Sequence, residues 1–322
     1  MLNNNSDNLN VALLFPGVGS QYYGMGKEFF NNFRVVKSTF EEASDTLGIN
    51  FADICFNAEK DRRLEQLEYI KPALVFVSVA TYRLYMEEIG IAPKFNTGYS
   101  LGEYTALCCA GAISFADTLK VVRQRALIIN EASSGIDGTM AWVVGIDYNI
   151  VEELCREIRA NGKEVYLSAY NSQQRMSISG PNSTIRAIAE KIEDAGGVVI
   201  PIKMSGPFHS PMMFKASDNL REVLSKYEFK TPVTTVIANR NALPYESSSE
   251  SMIDNLSLQI VEPIRWTSCI EYLLLNGIDK AIEMGPKMVL KYLVELNTNK
   301  IKTFSLETSS DLEVLKTGLG CS

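Results

Sequence analysis

A serine between two glycines, in the stretch GYSLGE at residues 98–103, constrains the fold of this chain more than any other feature. Gly98, Ser100 and Gly102 have the G-x-S-x-G spacing of a nucleophile elbow, a sharp turn that joins a strand to a helix. Such a turn projects the serine hydroxyl away from the backbone. It also points the next N–H group, that of Leu101, at the oxygen of an attacked carbonyl. Because the five-residue pattern is common, the flanking segments must decide whether Ser100 is a nucleophile.

The segments around the elbow predict the strand and the helix that it needs. The following stretch, EYTALCCAGAISFADTLKVVRQRALIINEA, is helical in character, with a break near Gly111. The preceding stretch, KFNTG, predicts only a weak strand, because Asn96 and Thr97 are unusual in a buried run. The order of strand, turn and helix favours a catalytic Ser100.

Strands and helices alternate along most of the chain, which predicts an α/β fold with a three-layer core. Residues 135–205 differ, because their patterns predict the order β-α-β-β-α-β of the ferredoxin-like arrangement. We therefore expect a small ferredoxin-like subdomain at 135–205. It would be inserted into a large catalytic domain formed by residues 1–134 and 206–322.

The sequence contains one histidine, His209, and this count excludes metal sites built from several histidines. A serine hydroxyl is a poor nucleophile without a base to take its proton. If Ser100 is the nucleophile, His209 is the only histidine available for that task. It lies in MSGPFHSPMM, between a predicted strand and a predicted helix, where functional loops collect. A surface histidine, or one whose hydrogen bonds are satisfied in the core, is the alternative.

Arg125 lies in VVRQRALIIN, 25 residues after Ser100, on the helical segment that follows the elbow. One interpretation is a solvated arginine on a helix surface. The other is a buried guanidinium that binds a substrate carboxylate through two parallel hydrogen bonds. The apolar residues on both sides of Arg125 favour burial.

Composition excludes several other classes of protein. The formal net charge of −7 argues against a broad nucleic-acid surface. No apolar run approaches the roughly 20 residues that span a bilayer. The polar start, MLNNNSDNLN, lacks the basic and apolar regions of a secretory signal. The six cysteines show no C-x-x-C spacing, which argues against a zinc site or a disulfide framework and predicts a cytoplasmic protein.

The glycine-rich loop GVGSQYYGMGK, at residues 17–27, fits neither nucleotide-binding template. Tyr22 stands where a dinucleotide fingerprint needs its third glycine, and Gln21 stands where a P-loop needs its first. The loop can be a flexible connection, or it can present backbone N–H groups to an oxyanion.

Six stretches, taken together and in this order, resemble the malonyl-CoA:acyl carrier protein transacylases. That family includes the stand-alone enzymes of bacterial fatty acid synthesis and the trans-acting acyltransferases of polyketide synthases. The resemblance runs from about residue 11 to 300 and implies a hydrolase-like α/β core with a ferredoxin-like insert. The stretches are LFPGVGSQYYGMGKEF, GYSLGEYTALCCAGAISFADTLKVVRQRA, YNSQQRMSISGP, SGPFHSPMM, EPIRWTSCIEYL and IEMGPKMVLKYL.

The resemblance implies a role for each matching residue of the catalytic machinery. Ser100 would be the acylated nucleophile, and His209 would be its base and later its acid. The backbone carbonyl of Gln259 would orient the histidine. The backbone N–H groups of Val18 and Leu101 would form the oxyanion hole.

The resemblance also implies how the acyl group is bound. Arg125 would hold the malonyl carboxylate, and Phe208 matches the malonyl-type pattern. Two positions depart from the family. Val18 replaces the usual glutamine of FPGQGSQ, which keeps the backbone N–H but removes side-chain polarity. Tyr99 replaces the usual histidine of GHS, which changes the wall beside the nucleophile.

The expected function is transfer of a malonyl group from malonyl-CoA, through an acyl-serine, to the phosphopantetheine thiol of an acyl carrier protein. This step would serve polyketide or fatty acid biosynthesis. No bound cofactor, metal, membrane or nucleic acid is expected. A basic patch near the cleft would receive the acidic carrier, with Lys287 and Lys291 as candidates.

Four alternatives stay open at this point. They are an acyl hydrolase of the same fold, a transacylase for a substituted malonyl unit, a non-catalytic docking protein and a nucleotide-binding oxidoreductase. Tyr22 in the glycine-rich loop weakens the last. Arg125 favours malonyl transfer over hydrolysis, because clearance of neutral acyl chains needs no guanidinium.

Overall fold

Two separate β-sheets organise the computed structural model, which describes residues 9–57 and 62–321. Most of the polar start, residues 1–8, therefore lies outside the described residues. The strands, in chain order, are β1 (Val11–Phe15), β2 (Phe95–Gly98), β3 (Thr139–Val144), β4 (Tyr166–Ser172), β5 (Arg175–Gly180), β6 (Val198–Ser205), β7 (Thr235–Ile237), β8 (Lys280–Met284) and β9 (Lys302–Leu306).

Helices connect these strands and cover the sheets. In chain order they are α1 (Lys27–Asn32), α2 (Arg34–Leu47), α3 (Phe51–Phe56), α4 (Leu67–Glu88), α5 (Gly102–Cys109), α6 (Phe115–Ser134), α7 (Tyr148–Ala160), α8 (Asn182–Asp194), α9 (Phe214–Leu224), α10 (Ser249–Leu258), α11 (Trp266–Leu275), α12 (Val289–Asn297) and α13 (Ser309–Leu319).

The larger sheet is parallel, with the strand order β7-β2-β1-β8-β9. Its central strand β1 is fully buried and faces two cores, because successive side chains of a strand point to opposite faces. Val11, Leu13 and Phe15 pack into one hydrophobic core, and Ala12 and Leu14 pack into the other. A parallel sheet buried on both faces needs a helical layer on each side. The predicted α/β class is confirmed.

The smaller sheet is antiparallel, with the strand order β4-β5-β3-β6. Along the chain its elements follow the predicted order β3-α7-β4-β5-α8-β6. Helices α7 and α8 cover one face, where Val151 and Ile188 pack with Val143 and Ile178 of the strands. The predicted ferredoxin-like arrangement, separate from the parallel sheet, is confirmed.

Strand β2 is better formed than its sequence suggests. Asn96 and Thr97 are both fully buried, although polar side chains are unusual in a central strand. One polar atom of each side chain has a partner, since Asn96 Nδ2 donates to the carbonyl of Ala106 at 3.4 Å and Thr97 Oγ1 donates to that of Ile237 at 3.2 Å. Asn96 Oδ1 has no hydrogen-bond partner among the described residues. Hydrogen bonds to backbone oxygens therefore offset part of the cost of burying these side chains.

Three other regions differ from the sequence pattern. The pattern of residues 25–47 predicts one helix, but the structure divides it at Phe33, whose extended backbone separates α1 from α2. The predicted helix after the histidine opens as a 3₁₀ turn, Pro211–Met213, before α9. Strand β9 and helix α13 had no prediction, and they close the edge of the parallel sheet.

Candidate active site

The elbow residue Ser100 lies two positions after β2, in a tight turn. The positions on either side of it, 98 and 102, have room only for glycine. Ser100 has a left-handed backbone with φ of 51°. A Cβ atom on Gly98 would lie 2.0 Å from the backbone of Gly102, and one on Gly102 would lie 1.9 Å from the carbonyl oxygen of Phe15. The two glycines thus let the turn pack against itself and against β1. Strained backbone of this kind costs about 1–3 kcal/mol and is concentrated at functional sites.

His209 reaches Ser100 from the other sheet, four residues after the end of β6. Its Nε2 atom lies 3.0 Å from Ser100 Oγ, and its Nδ1 atom lies 2.8 Å from the carbonyl oxygen of Gln259. A carbonyl oxygen can only accept, so Nδ1 carries the hydrogen and Nε2 is left to accept from the serine. The histidine also has a left-handed backbone, with φ of 57°.

The environment of His209 keeps the imidazole neutral. Burial, followed by the positive charge of Arg125, lowers the pKa of His209 to about 4, although the carbonyl of Gln259 acts in the opposite direction. A neutral imidazole with a free lone pair is the form that accepts a serine proton. The pair is therefore in its base form at neutral pH.

Two backbone N–H groups of the site have no acceptor among the described residues. They belong to Leu101, which directly precedes helix α5, and to Val18 in the glycine-rich loop. The first N–H groups of a helix lack intrahelical partners and carry a partial positive charge. Val18 and Ser100 line the same cavity. These two donors are thus available to a negatively charged oxygen.

Asn239, which follows β7, braces the elbow from a position 139 residues away in sequence. Its Oδ1 atom accepts from the backbone N–H of Ser100 at 2.7 Å, and its Nδ2 atom donates to the carbonyl of Gly98 at 2.6 Å. One side chain therefore holds the backbone of the strained turn at both Gly98 and Ser100.

The side chain of Gln259 connects the elbow to two charged groups. Its Nε2 atom donates to the carbonyl of Ser100 at 2.9 Å and to the carboxylate of Glu103 at 2.6 Å. Its Oε1 atom accepts from Arg125 Nη2 at 3.0 Å. Because its backbone carbonyl also binds His209, Gln259 fixes the positions of the nucleophile, the base and the guanidinium together.

Glu103, the last residue of GYSLGE, is a buried carboxylate with three donors. It accepts from Gln259, from the backbone N–H of Asn239 at 3.2 Å and from the hydroxyl of Tyr245. Burial raises the pKa of Glu103 to about 7, and these hydrogen bonds and Arg125 act in the opposite direction. The carboxylate is thus a shared acceptor beneath the elbow.

Arg125 is buried, as the second interpretation of its sequence context predicts. It lies on α6 with 3% of its surface exposed, and its guanidinium carbon lies 5.4 Å from the centre of the Tyr104 ring. Its Nε atom has no hydrogen-bond partner in the described part of the chain. The guanidinium lines the same cavity as Ser100 and His209 and can bind a further acceptor there.

The cavity that contains these groups has a volume of about 910 Å³. Phe208 is buried in its wall, and Tyr99 is held in place by a hydrogen bond of its hydroxyl to Asn171 Oδ1 at 2.8 Å. The Tyr99 ring also packs edge-on against Trp266, with ring centroids 5.6 Å apart. Both residues, which the family resemblance implies for binding of the acyl group, therefore line the cavity that contains the nucleophile.

Three polar residues of this site were missed by sequence reasoning. Asn239 and Glu103 act through contacts between segments far apart in the chain, and a local pattern does not show these. Lys71, on α4, also lines the cavity. Its signal was visible, because a lysine interrupts the otherwise apolar stretch YIKPALVFVSVA.

The lysines considered for a basic patch differ in position. Lys287 is exposed, and its Nζ atom donates to the carbonyl of Gly19 in the glycine-rich loop at 3.3 Å. Lys291 is half-buried on α12. In the described residues, no cluster of three or more His, Cys, Asp and Glu side chains could hold a metal ion. Within the same residues, every helix is too short or too polar to cross a membrane.

Comparison with known proteins gives a consistent result. The sequence model of the acyl transferase domain matches residues 12–291. A protein of Bacillus subtilis named malonyl CoA-acyl carrier protein transacylase is 39% identical over 306 residues, which cover 95% of this chain and 76% of that protein. The protein of the same name from Escherichia coli K12 is 32% identical, over 93% of this chain and 96% of its own length.

Solved structures extend the similarity to the fold. FabD from Acinetobacter baumannii superposes with a TM-score of 0.91 at 32% identity, covering 96% of this chain and 98% of that one. A malonyl-transacylase in complex with a type II polyketide synthase acyl-carrier protein, described as PlMCAT:AntF, gives 0.91 at 31% identity, covering 96% and 99%.

Proposed function

This chain belongs to the acyl transferase domain family, and we propose that it transfers a malonyl group from malonyl-CoA, through an ester on Ser100, to the phosphopantetheine thiol of an acyl carrier protein. One observation carries the choice of acyl group. A buried guanidinium, Arg125, lines the cavity that holds the Ser100–His209 pair. A buried cation with an unpartnered N–H group favours an anionic substrate over a neutral one.

The first half of the proposed reaction loads the enzyme. His209 Nε2 takes the hydroxyl proton while Ser100 Oγ attacks the thioester carbonyl of malonyl-CoA. The resulting oxyanion accepts hydrogen bonds from the N–H groups of Val18 and Leu101, and a donor of this kind contributes roughly 10²–10³ to the rate in other serine enzymes. When the tetrahedral intermediate collapses, the C–S bond breaks and coenzyme A leaves as a thiol with the proton from His209.

The second half unloads the enzyme onto the carrier. The phosphopantetheine thiol gives its proton to His209 and attacks the malonyl-serine ester. The C–O bond to Ser100 breaks, and His209 returns the proton to the serine oxygen. Coenzyme A and phosphopantetheine thus enter only as substrates, and side chains and backbone groups perform each step.

The other predicted residues take supporting roles in this proposal. The carbonyl of Gln259 keeps His209 in the tautomer that accepts from the serine. Arg125 binds the malonyl carboxylate, and Phe208 and Tyr99 form the wall beside the acyl group. We further propose residues 135–205 as a subdomain within a catalytic domain of 1–134 and 206–322, and the cytoplasm as the compartment.

Intact-mass analysis tests the proposal directly. We expect malonyl-CoA to give a covalent adduct on the wild-type chain and none on Ser100→Ala, because the ester requires the serine oxygen. The adduct should pass to an added holo-carrier protein faster than to water. Cys108→Ala, which removes a half-buried thiol elsewhere, is the control and should keep the adduct.

Three outcomes would contradict the proposal. The malonyl interpretation fails if acetyl-CoA gives a stable adduct and malonyl-CoA gives none. The serine mechanism fails if the adduct survives in Ser100→Ala. Discharge to water alone, with the carrier left unloaded, would make the chain an acyl hydrolase.

A further inference from the structure

Lys71 places a second cation in the cavity of the nucleophile. It lies on α4 with 3% of its surface exposed, and it lines the same cavity as Ser100 and Arg125. Its Nζ atom is buried and has no hydrogen-bond partner in the described part of the chain. The protonated amine carries three donors, and none of them has an acceptor among the described residues.

The surroundings of Lys71 oppose its charge rather than balance it. Burial, followed by the positive charge of Arg125, holds the pKa of Lys71 well below its usual range. The charge of Lys71 in turn contributes to the low pKa of His209. The buried carboxylate of the site, Glu103, already accepts from three donors and makes no hydrogen bond to Lys71.

Two unsatisfied cationic groups in one cavity indicate a missing anion. Buried polar groups are normally hydrogen-bonded, and buried charges are normally paired. Here Lys71 Nζ and Arg125 Nε both lack partners among the residues that the structure describes. A carboxylate has two oxygens with about four lone-pair positions, so it can accept from a guanidinium and from an ammonium at once. Its negative charge would also favour the protonated form of Lys71.

We propose that Lys71 is a specificity-determining residue that binds the free carboxylate of the acyl group together with Arg125. The pair selects dicarboxylic acyl thioesters, with malonyl as the smallest, over neutral ones such as acetyl. This inference rests on the proposed malonyl transfer. The addition is that two side chains, Arg125 of α6 and Lys71 of α4, bind the acyl carboxylate.

The variant Lys71→Met tests this role, because methionine keeps much of the apolar stem and removes the charge. We expect the KM for malonyl-CoA to rise by about 10-fold or more, since hydrogen bonds to charged groups contribute roughly 1.5–3 kcal/mol. The kcat for acylation should change less. The kcat/KM for acetyl-CoA should stay the same or rise, so the malonyl-to-acetyl ratio falls by about 10-fold or more.

Thermal unfolding separates this role from a structural one. Removing a buried, unpaired lysine should leave the Tm unchanged or raise it, while a lysine that supports the fold would lower it. Ser78→Ala is the matched control, because Ser78 is a buried residue of the same helix whose hydroxyl also lacks a described partner and which does not line this cavity. It should keep the malonyl-to-acetyl ratio of the wild type.

A folded Lys71→Met or Lys71→Gln variant that keeps the wild-type ratio would overturn the inference. So would a Lys71 side-chain NMR signal, in the intact Ser100→Ala protein, that does not move when malonate is added. Either result leaves the proposed function standing if the wild type is still loaded by malonyl-CoA. If malonyl-CoA does not load the wild type, the proposed function itself is wrong.

Discussion

The site contains two groups of buried charged side chains that differ in their hydrogen bonding. Glu103 accepts from Gln259, Asn239 and Tyr245, and we call these four residues the acidic network. Lys71 and Arg125 line the cavity and form the cationic pair, and each has an N–H group with no partner in the described part of the chain. Satisfied polar groups rigidify a site, while unsatisfied ones are costly until a ligand completes them. The comparison thus separates the part that holds the elbow from the part that receives the acyl group.

The largest effect should come from breaking the acidic network. Glu103→Ala leaves three buried donors without their acceptor, and we expect the free energy of unfolding to fall by roughly 3–5 kcal/mol. Urea denaturation measures this. Glu87→Ala removes an exposed glutamate of α4 and should stay near the wild-type value. A Glu103→Ala protein as stable as that control would show that the network does not hold the elbow.

The second effect is the change in the pKa of His209 that the positive charges of the cationic pair cause. The rate of acylation is full above the pKa of His209 and falls as the pH drops through it. With a pKa of about 4, the wild type should keep most of its rate at pH 5. Arg125→Met removes the second cause of that low pKa, so the acidic limb should move upward, towards the ordinary value of about 6.5.

The pH dependence of acylation by acetyl-CoA measures this shift without requiring the carboxylate contact. Arg123→Met is the control, because Arg123 lies on the same helix and does not line the cavity. Its acidic limb should match that of the wild type. If the acidic limbs of Arg125→Met and the wild type coincide, Arg125 does not contribute to the low pKa of His209.

The smallest effect is expected at Tyr99, whose hydroxyl lies at the cavity wall but has a partner. Tyr99→Phe should lower the free energy of unfolding by about 1 kcal/mol, because Asn171 loses one hydrogen bond. The malonyl-to-acetyl ratio should barely change. The exposed Tyr292 supplies the control variant Tyr292→Phe. A large change in acyl preference for Tyr99→Phe would place that residue among the groups that contact the substrate.

The residues that could be predicted from the sequence are those with a short local motif or a rare residue type. Ser100 has a five-residue pattern, His209 is the only histidine, and Arg125 is a charge within an apolar helix. The structure brings all three to one cavity. The same kind of signal was present at Lys71, but a buried charge in a helix shows no partner in sequence, and its position beside Arg125 depends on how α4 and α6 pack.

The acidic network lay beyond the reach of sequence patterns. Asn239 contacts the elbow across 139 residues, and the amide of Gln259 bridges groups from α5 and α6. The family resemblance implied only the backbone carbonyl of Gln259. Strand β9 and helix α13 were missed, although β9 completes the parallel sheet through its pairing with β8.

The nucleophile and its base come from different sheets, since Ser100 follows β2 of the parallel sheet and His209 follows β6 of the antiparallel one. The 3.0 Å distance between Ser100 Oγ and His209 Nε2 therefore depends on the relative positions of the two sheets. A displacement of about 1 Å at a reacting group can cost roughly 100-fold in rate. A molecule that binds only the antiparallel sheet and displaces it would thus change the distance between the nucleophile and its base. The rate of turnover would then report whether a molecule has bound to that sheet.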